Sequence, residues 1–210
     1  MKTIVKFFVF VLLISLVTLN SYGQEEKDFR FTVKINPTAA LGGPIWLLIV
    51  PVTGEYRVLF EAATLEKQSV QVGVSYLGPS LLLNLDKISA TDSAEISGIN
   101  TSGFRGQLAY KFFLSRDLSA PEGFYVGPHF SYATASIVNK DNKDDKVKAT
   151  KININGIVGY QLITSGGFTL DVYSGLGFRI RKWDYSSTIN SDFDFGSSKN
   201  SPMVTFGLNF

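Results

Sequence analysis

The chain closes on the segment Pro202-Met-Val-Thr-Phe-Gly-Leu-Asn-Phe210, in which large apolar side chains recur at every second position. Four of them share one parity: Val204, Phe206, Leu208 and Phe210. Successive side chains of a strand point to opposite faces, so these four residues would cover one face of it. The segment therefore predicts a terminal strand with one apolar face and one face of polar or small residues.

The same alternation returns in seven earlier segments, so the whole chain is predicted to be all-β. Those segments begin near Phe29, Val52, Val70, Phe104, Phe124, Ile152 and Phe168. Eight is the smallest usual strand number of a transmembrane barrel, and about ten tilted residues per strand cross a bilayer. We therefore predict an eight-stranded, antiparallel, up-and-down transmembrane β-barrel.

The predicted connections differ in length according to their parity. The even-numbered connections are the shorter ones, at residues 60–68, 115–123 and 163–167. The odd-numbered connections are the longer ones, at residues 40–51, 79–102, 137–150 and 184–201. Among the short ones, Thr164-Ser-Gly-Gly167 is expected to be the tightest. Outer-membrane barrels have short periplasmic turns and longer outer loops, so both termini are predicted to be periplasmic.

Alternation alone does not decide which face of the sheet is buried. A soluble, lipocalin-like barrel also has eight alternating strands, but it turns its apolar face inward. Aromatic residues near the strand ends and an almost uncharged apolar face favour the membrane-spanning alternative. The polar face would then form an inward network, for which we predict Arg30, Lys34, Glu55, Arg57, Arg105, Lys111, His129, Asp171, Arg179 and Arg181.

The first residues have the pattern of a secretory signal peptide. Lys2 and Lys6 precede a short apolar run, and Ser21 and Gly23 stand at −3 and −1 of a cleavage site before Gln24. The run is too short for a spanning helix, which disfavours the alternative of a membrane anchor. We predict a signal peptide at 1–23 and a single barrel domain at 24–210.

Composition excludes several classes of function. Of 20 basic residues, two lie in the predicted signal peptide, which leaves 18 against 18 acidic residues and a mature net charge of zero. A nucleic-acid partner is therefore not expected. The chain has no cysteine, so neither disulfides nor thiolate metal sites are available. We expect no cofactor, no bound metal and a monomer.

Several short motifs resemble those of the small outer-membrane β-barrel families of Bacteroidota. They are Tyr22-Gly-Gln24, Gly54-Glu-Tyr-Arg57, Phe124-Tyr-Val-Gly-Pro128, Gly159-Tyr160, Gly175-Leu-Gly177 and the closing phenylalanine. The resemblance implies a location in the bacterial outer membrane, with contact to lipid and lipopolysaccharide. It also implies that Phe206, Leu208 and Phe210 form a signal for the barrel assembly machinery.

One pair of residues suggests an enzyme. His129 and Ser131 would lie on the same face of one strand, about 7 Å apart, and His-x-Ser resembles the catalytic pair of lipid A 3-O-deacylases. Those enzymes orient the histidine with a glutamate farther along, whereas the region after this pair, residues 140–145, has none. A histidine in a polar interior network is the favoured interpretation, and no catalytic residue is assigned.

Other acidic motifs have simpler explanations. Glu55 and Asp171 suggest a glycosidase carboxylate pair, but pairing with Arg57 and Arg179 is favoured. The aspartates of residues 141–145 are hard-oxygen ligands suited to calcium, yet interleaved lysines favour a solvated loop that could meet lipopolysaccharide phosphates.

The remaining motif and the composition give three hypotheses for function. Asp92-Ser93-Ala94 resembles a Bacteroidota O-glycosylation motif, with an ordinary serine-rich loop as the alternative. We favour a non-enzymatic barrel with a filled lumen, whose outer loops serve binding, adhesion or envelope integrity. A narrow pore or transporter is the second hypothesis, and a lipid A deacylase-like enzyme is the third.

Overall fold

A computed structural model describes residues 30–40, 53–79, 99–139, 146–185 and 199–210. These residues form one antiparallel sheet whose eight strands are hydrogen-bonded in chain order. The strands are β1 (Phe31–Ile35), β2 (Thr53–Leu65), β3 (Gln68–Pro79), β4 (Ile99–Phe113), β5 (Gly123–Asn139), β6 (Lys146–Ile163), β7 (Thr169–Tyr185) and β8 (Lys199–Asn209). The predicted all-β, up-and-down topology is confirmed.

The first and last strands of this sheet meet. Ile35 and Phe210 exchange both backbone hydrogen bonds, with N···O distances of 2.8 and 2.9 Å. Next to them, the side-chain amide of Asn36 donates to Asn209 at 3.1 Å. The sheet is thus curled so far that the end of β1 hydrogen-bonds to the residue that directly follows β8.

The two faces of the sheet have opposite environments. Polar side chains are buried on one face, where Lys34, Glu61, Lys111 and Asp171 are fully inaccessible to solvent. Large apolar side chains cover the other face and are exposed, with Leu176 at 70% and Phe178 at 67%. The alternation read from the sequence therefore separates a polar interior from an apolar exterior.

A small apolar cluster interrupts the polar interior. It contains Ala109, Phe113, Ala120, Tyr125, Ile157 and Tyr173, all of them buried. The rings of Phe113 and Tyr125 lie 5.4 Å apart. Tyr173 lies over Gly207, where an added Cβ would come within 2.0 Å of the ring. Glycine at position 207 is thus what lets a large aromatic fit across the interior.

The strand ends differ from the prediction in two places. The tightest connection of the described chain is Glu66–Lys67, between β2 and β3, rather than Thr164–Gly167. β5 and β6 continue to Asn139 and from Lys146, so only residues 140–145 separate them instead of 137–150. Outward residues there become polar while the backbone pairing continues, which is why the apolar alternation ended before the strands did.

A short helix, α1 (Pro37–Ala40), follows β1 and was not predicted. The side-chain oxygen of Asn36 accepts a hydrogen bond from the backbone N–H of Ala39 at 2.9 Å. Asn36 is therefore the N-cap, and Pro37 occupies the first helical position, where its missing N–H leaves no donor unpaired.

Candidate functional site: the polar interior

Four buried charges form an alternating ring inside the sheet, which we call the ion cluster: Lys34, Glu61, Lys111 and Asp171. Lys34 contacts both carboxylates, and its Nζ lies 2.9 Å from Oδ2 of Asp171. Lys111 also contacts both, at 3.1 Å from Glu61 and 3.0 Å from Asp171. Two cations and two anions thus balance one another without solvent.

Polar neighbours complete the hydrogen bonding of the ion cluster. Gln161 Oε1 accepts from both lysines, at 2.6 and 3.0 Å. Tyr125 donates its hydroxyl to Asp171 at 2.6 Å, and Lys111 lies 4.3 Å from the centre of that ring. Because buried charges are tolerated only when paired and hydrogen-bonded, this completeness is what allows four of them here.

Every strand of the sheet contributes at least one side chain to this arrangement. In strand order they are Lys34, Glu61, Gln71, Lys111, Tyr125, Gln161, Asp171 and Asn209. Neighbouring strands are about 4.8 Å apart, so in a flat sheet the residues of β1 and β6 would be about 24 Å apart. The contact of Lys34 with Gln161 therefore requires the curvature of the sheet.

A second ion group lies nearer the long-connection end of the interior. Glu55 accepts from Arg57 at 2.8 Å and from Arg105 at 2.5 Å. The pairing of Glu55 with Arg57 was predicted. The predicted pairing of Asp171 with Arg179 is wrong, because Asp171 joins the ion cluster and Arg179 instead donates to Asn153 at 3.0 Å.

His129 and Ser131 lie on the buried face of β5, as predicted, with 7% and 2% of their surfaces exposed. Each is bonded to an asparagine of β6 instead of to the other. Asn155 Nδ2 lies 3.2 Å from His129 Nδ1, and Asn153 donates to Ser131 Oγ at 2.9 Å. Within the described residues, no hydrogen bond joins the histidine to the serine. The pair is thus part of the interior polar network.

The other predicted interior residues have different environments. Arg181 is half-buried on the inward face of β7. The prediction that Arg30 belongs to the interior network is wrong, because Arg30 precedes β1 and is exposed. Its backbone carbonyl accepts a hydrogen bond from the N–H of Ala63. The prediction rests on shared parity with Thr32 and Lys34, but the interior ends before position 30.

Sequence reasoning missed Glu61 and the glutamines at 71 and 161. Glu61 was placed in a connection at 60–68, whereas β2 continues to Leu65. The signal that could have found it is the continued parity with Glu55 and Arg57. An uncharged glutamine gives no such signal, since it is equally common on a solvated face.

Two predicted motifs lie outside the described residues: Ser93 in the proposed glycosylation motif, and the aspartates of 141–145. The terminal residues are described. Phe206 is exposed on the apolar face, Leu208 is half-buried, and the ring of Phe210 lies 6.3 Å from that of Phe168.

Comparison with models of known families, with curated proteins and with solved structures gave no match to this chain. In the described part of the chain, no helix has the length and apolar character needed to cross a membrane. Nor do the described residues hold any group of three or more histidine, cysteine, aspartate or glutamate side chains that could bind a metal ion.

Proposed function

We propose that this chain is an integral outer-membrane β-barrel without enzymatic activity. Its lumen is filled by side chains, and its long connections serve binding, adhesion or envelope integrity. One observation carries the proposal: charged residues are buried and large apolar residues are exposed on the same strands. A lipocalin-like protein needs the opposite burial, whereas a protein solvated by lipid needs this one.

The register supports closure of the sheet into a barrel of ordinary dimensions. Starting at Ile35, the paired residues lead strand by strand to Asn200 in β8. Ile35, however, bonds with Phe210, which directly follows β8 and lies ten residues after Asn200. With eight strands, a stagger of this size gives a strand tilt of about 40° and a radius of about 8 Å. Both values suit a small transmembrane barrel.

The outward apolar surface has a height close to that of the apolar band of an outer-membrane barrel. On β6 it runs from half-buried Ile152 to exposed Tyr160, and at about 3.3 Å per residue and a tilt of about 40° the distance between them is roughly 20 Å. Outer-membrane barrels carry an apolar band of about 25 Å. Beyond it the outward residues become charged, as at Lys148 and Lys182.

Aromatic residues border the band at both ends. Towards the long connections, Tyr56, Tyr76, Phe104 and Tyr132 follow one another around the sheet, with ring centres 6.3 and 6.2 Å apart in two of the pairs. Towards the short connections, Phe124 is the register partner of Tyr160. Such aromatics are typical of the two interfaces of a bilayer.

The ion cluster supports a closed lumen. A barrel of eight strands has an interior just wide enough for side chains. Here the four charges and their partners come from all eight strands and exclude solvent. We therefore expect no ion conductance from the folded protein in planar bilayers, and measured conductance would favour the pore hypothesis instead.

The termini and the partners belong to the same proposal. The short connections would face the periplasm, where export after cleavage of residues 1–23 would leave the N-terminus. Phe206, Leu208 and Phe210 would be read by the assembly machinery, and the apolar band would contact membrane lipid and lipopolysaccharide.

The test is electrophoresis of outer-membrane fractions with and without boiling. A tagged mature chain should run as a compact, fast band when unboiled. Leu176→Arg, in the middle of the exposed band, should reduce that band, since a charge there costs about 2–4 kcal/mol. Lys182→Arg, outside the band, is the matched control and should leave it unchanged. A soluble periplasmic product without a mobility shift would overturn the proposal.

A further inference from the structure

The half of the interior towards the long connections carries an excess of positive charge. Four residues form what we call the mouth cluster: Arg105, Lys151, Arg179 and Arg181. In the register, Lys151 of β6 pairs with Arg181 of β7. On its other side Lys151 pairs with Ala133 of β5, which in turn pairs with Arg105 of β4. All four lie on the polar face and are half-buried.

Among the described carboxylates, only Glu55 pairs with this cluster, through Arg105, so three of its four cations have no carboxylate partner within the described residues. The charges that act on Lys151 are those of Arg179, Arg105 and Arg181, all cations. The nearest described acid is Glu55, which already pairs with Arg57 and Arg105. The ion cluster deeper inside has equal numbers of opposite charges, so the imbalance is confined to this end.

Unpartnered donors lie in the same region. Nε of Arg105, Nε of Arg181 and the side-chain nitrogen of Gln107 are buried and have no hydrogen-bond partner within the described residues. Gln107 itself is only 8% exposed. Buried N–H groups are nearly always hydrogen-bonded in folded proteins. Several unpartnered donors beside an excess of cations therefore indicate a ligand with several acceptor oxygens.

Arg179 is held in position for such a ligand. Ser131 Oγ accepts from Asn153 Nδ2 at 2.9 Å, and Asn153 Oδ1 accepts from Arg179 Nε at 3.0 Å. This chain of bonds fixes the plane of the guanidinium through Nε. An arginine oriented in this way is suited to two parallel hydrogen bonds with an oxyanion.

We propose that the mouth cluster binds a phosphate group. A phosphate monoester brings up to two negative charges and three acceptor oxygens, whereas a carboxylate brings one charge to four cations. The proposal rests on the closed barrel described above. Ile152 and Ile180 are the last outward apolar residues of β6 and β7 towards the long connections. They are the chain neighbours of Lys151 and Arg181, so the cluster lies at the edge of the apolar band. Phosphate could thus come from a lipid headgroup or from solution.

Two arms of one experiment separate these sources. In the first, inorganic phosphate is titrated calorimetrically at low salt into the mature chain refolded in uncharged detergent. In the second, the chain is refolded in phosphatidylcholine vesicles with and without phosphorylated lipid A, and its unfolding by urea is compared. The variants are Arg179→Gln/Arg181→Gln and, in case that pair folds poorly, Lys151→Gln. Lys182→Gln is the control, since it removes one charge beside Arg181 on the outward face.

We expect the double variant to weaken phosphate binding at least about tenfold and Lys182→Gln to change it less than about twofold. Stabilisation by lipid A without phosphate binding would support the headgroup as the source, and the reverse would support free phosphate. The proposal is overturned if the wild-type chain responds in neither arm, or if Lys182→Gln weakens binding as much as the double variant. A wild-type chain without a compact unboiled band would instead refute the barrel itself.

Discussion

Removing one charge from the ion cluster should destabilise the protein more than the lost contacts of that one side chain would suggest. In Asp171→Asn the side chain keeps its shape, but Lys34 and Lys111 are left with Glu61 alone. The site has no access to solvent, so the extra positive charge cannot be hydrated. Breaking a buried ion pair by removing one partner typically costs about 3–5 kcal/mol, and we expect a loss of stability in this range.

A second substitution tests whether charge balance is the cause. Lys111→Met alone leaves two carboxylates facing Lys34 and should also cost about 3 kcal/mol or more. Combined with Asp171→Asn, it leaves Lys34 and Glu61 as a neutral pair, which remain in contact. The two losses should therefore not add, and we expect the double variant to be more stable than their sum by about 2 kcal/mol.

The assay is unfolding by urea in phosphatidylcholine vesicles, followed by the fraction of compact band on unboiled gels. Asp184→Asn is the control, because Asp184 pairs with Lys182 at 3.1 Å on the exposed outer surface. Exposed pairs contribute little, so this change should stay within about 0.5 kcal/mol. The reasoning is refuted if Asp171→Asn costs no more than this control, or if the double variant loses the full sum.

Three further predictions test other parts of the fold. Gly127→Ala would place a Cβ 1.8 Å from a backbone oxygen of β4 and should reduce stability by about 1–3 kcal/mol in the same urea assay. The matched control is Gly156→Ala, whose added Cβ meets no atom within 4 Å and should leave the stability unchanged. Lys67→Met removes hydrogen bonds of 3.0, 3.0 and 2.8 Å to carbonyls of the connection 114–122, so trypsin should cleave after Arg116 several-fold faster in the refolded protein. Deleting Phe210 removes both of its backbone bonds to β1 and should lower the yield of compact band on refolding in detergent, and an unchanged yield would contradict the role given to this contact.

The strand number, order and faces could be predicted from the sequence because each depends on local alternation. A strand with polar side chains on its buried face and apolar side chains on its exposed face repeats every two residues, and seven strand pairs follow chain order. The ends of β5 and β6 could not be predicted in the same way. Beyond Tyr132 and before Ile152 the outward residues become polar while buried inward residues such as Ala133, Val147 and Ala149 are apolar, so the pattern of apolar-outward alternation is lost although the pairing continues.

The composition of the ion cluster could not be read from the sequence, although most of its charges could be assigned to the interior. Alternation gives the face of Lys34, Lys111 and Asp171 but not their height, because height depends on the stagger between strands. The sequence therefore suggested Arg179 as the partner of Asp171 from nearness along one strand. In the folded sheet, Lys34 reaches Asp171 only because β1 and β7 come together through curvature, a global property that no single segment encodes.

The distribution of charge along the interior links architecture to the proposed roles. At the end with short connections, two lysines and two carboxylates pair with one another and are fully buried, an arrangement that would close the lumen of the proposed barrel. At the other end, cations exceed acids among the described residues, and the side chains of Arg105, Gln107 and Arg181 keep unpartnered donors; beside the ion cluster the unpartnered donor is that of Gln161. Balanced charge serves to hold eight strands together, whereas unbalanced charge only raises the energy of the fold unless a ligand compensates it. In the proposed barrel, the charge distribution would make one end inert and the other able to bind an anion.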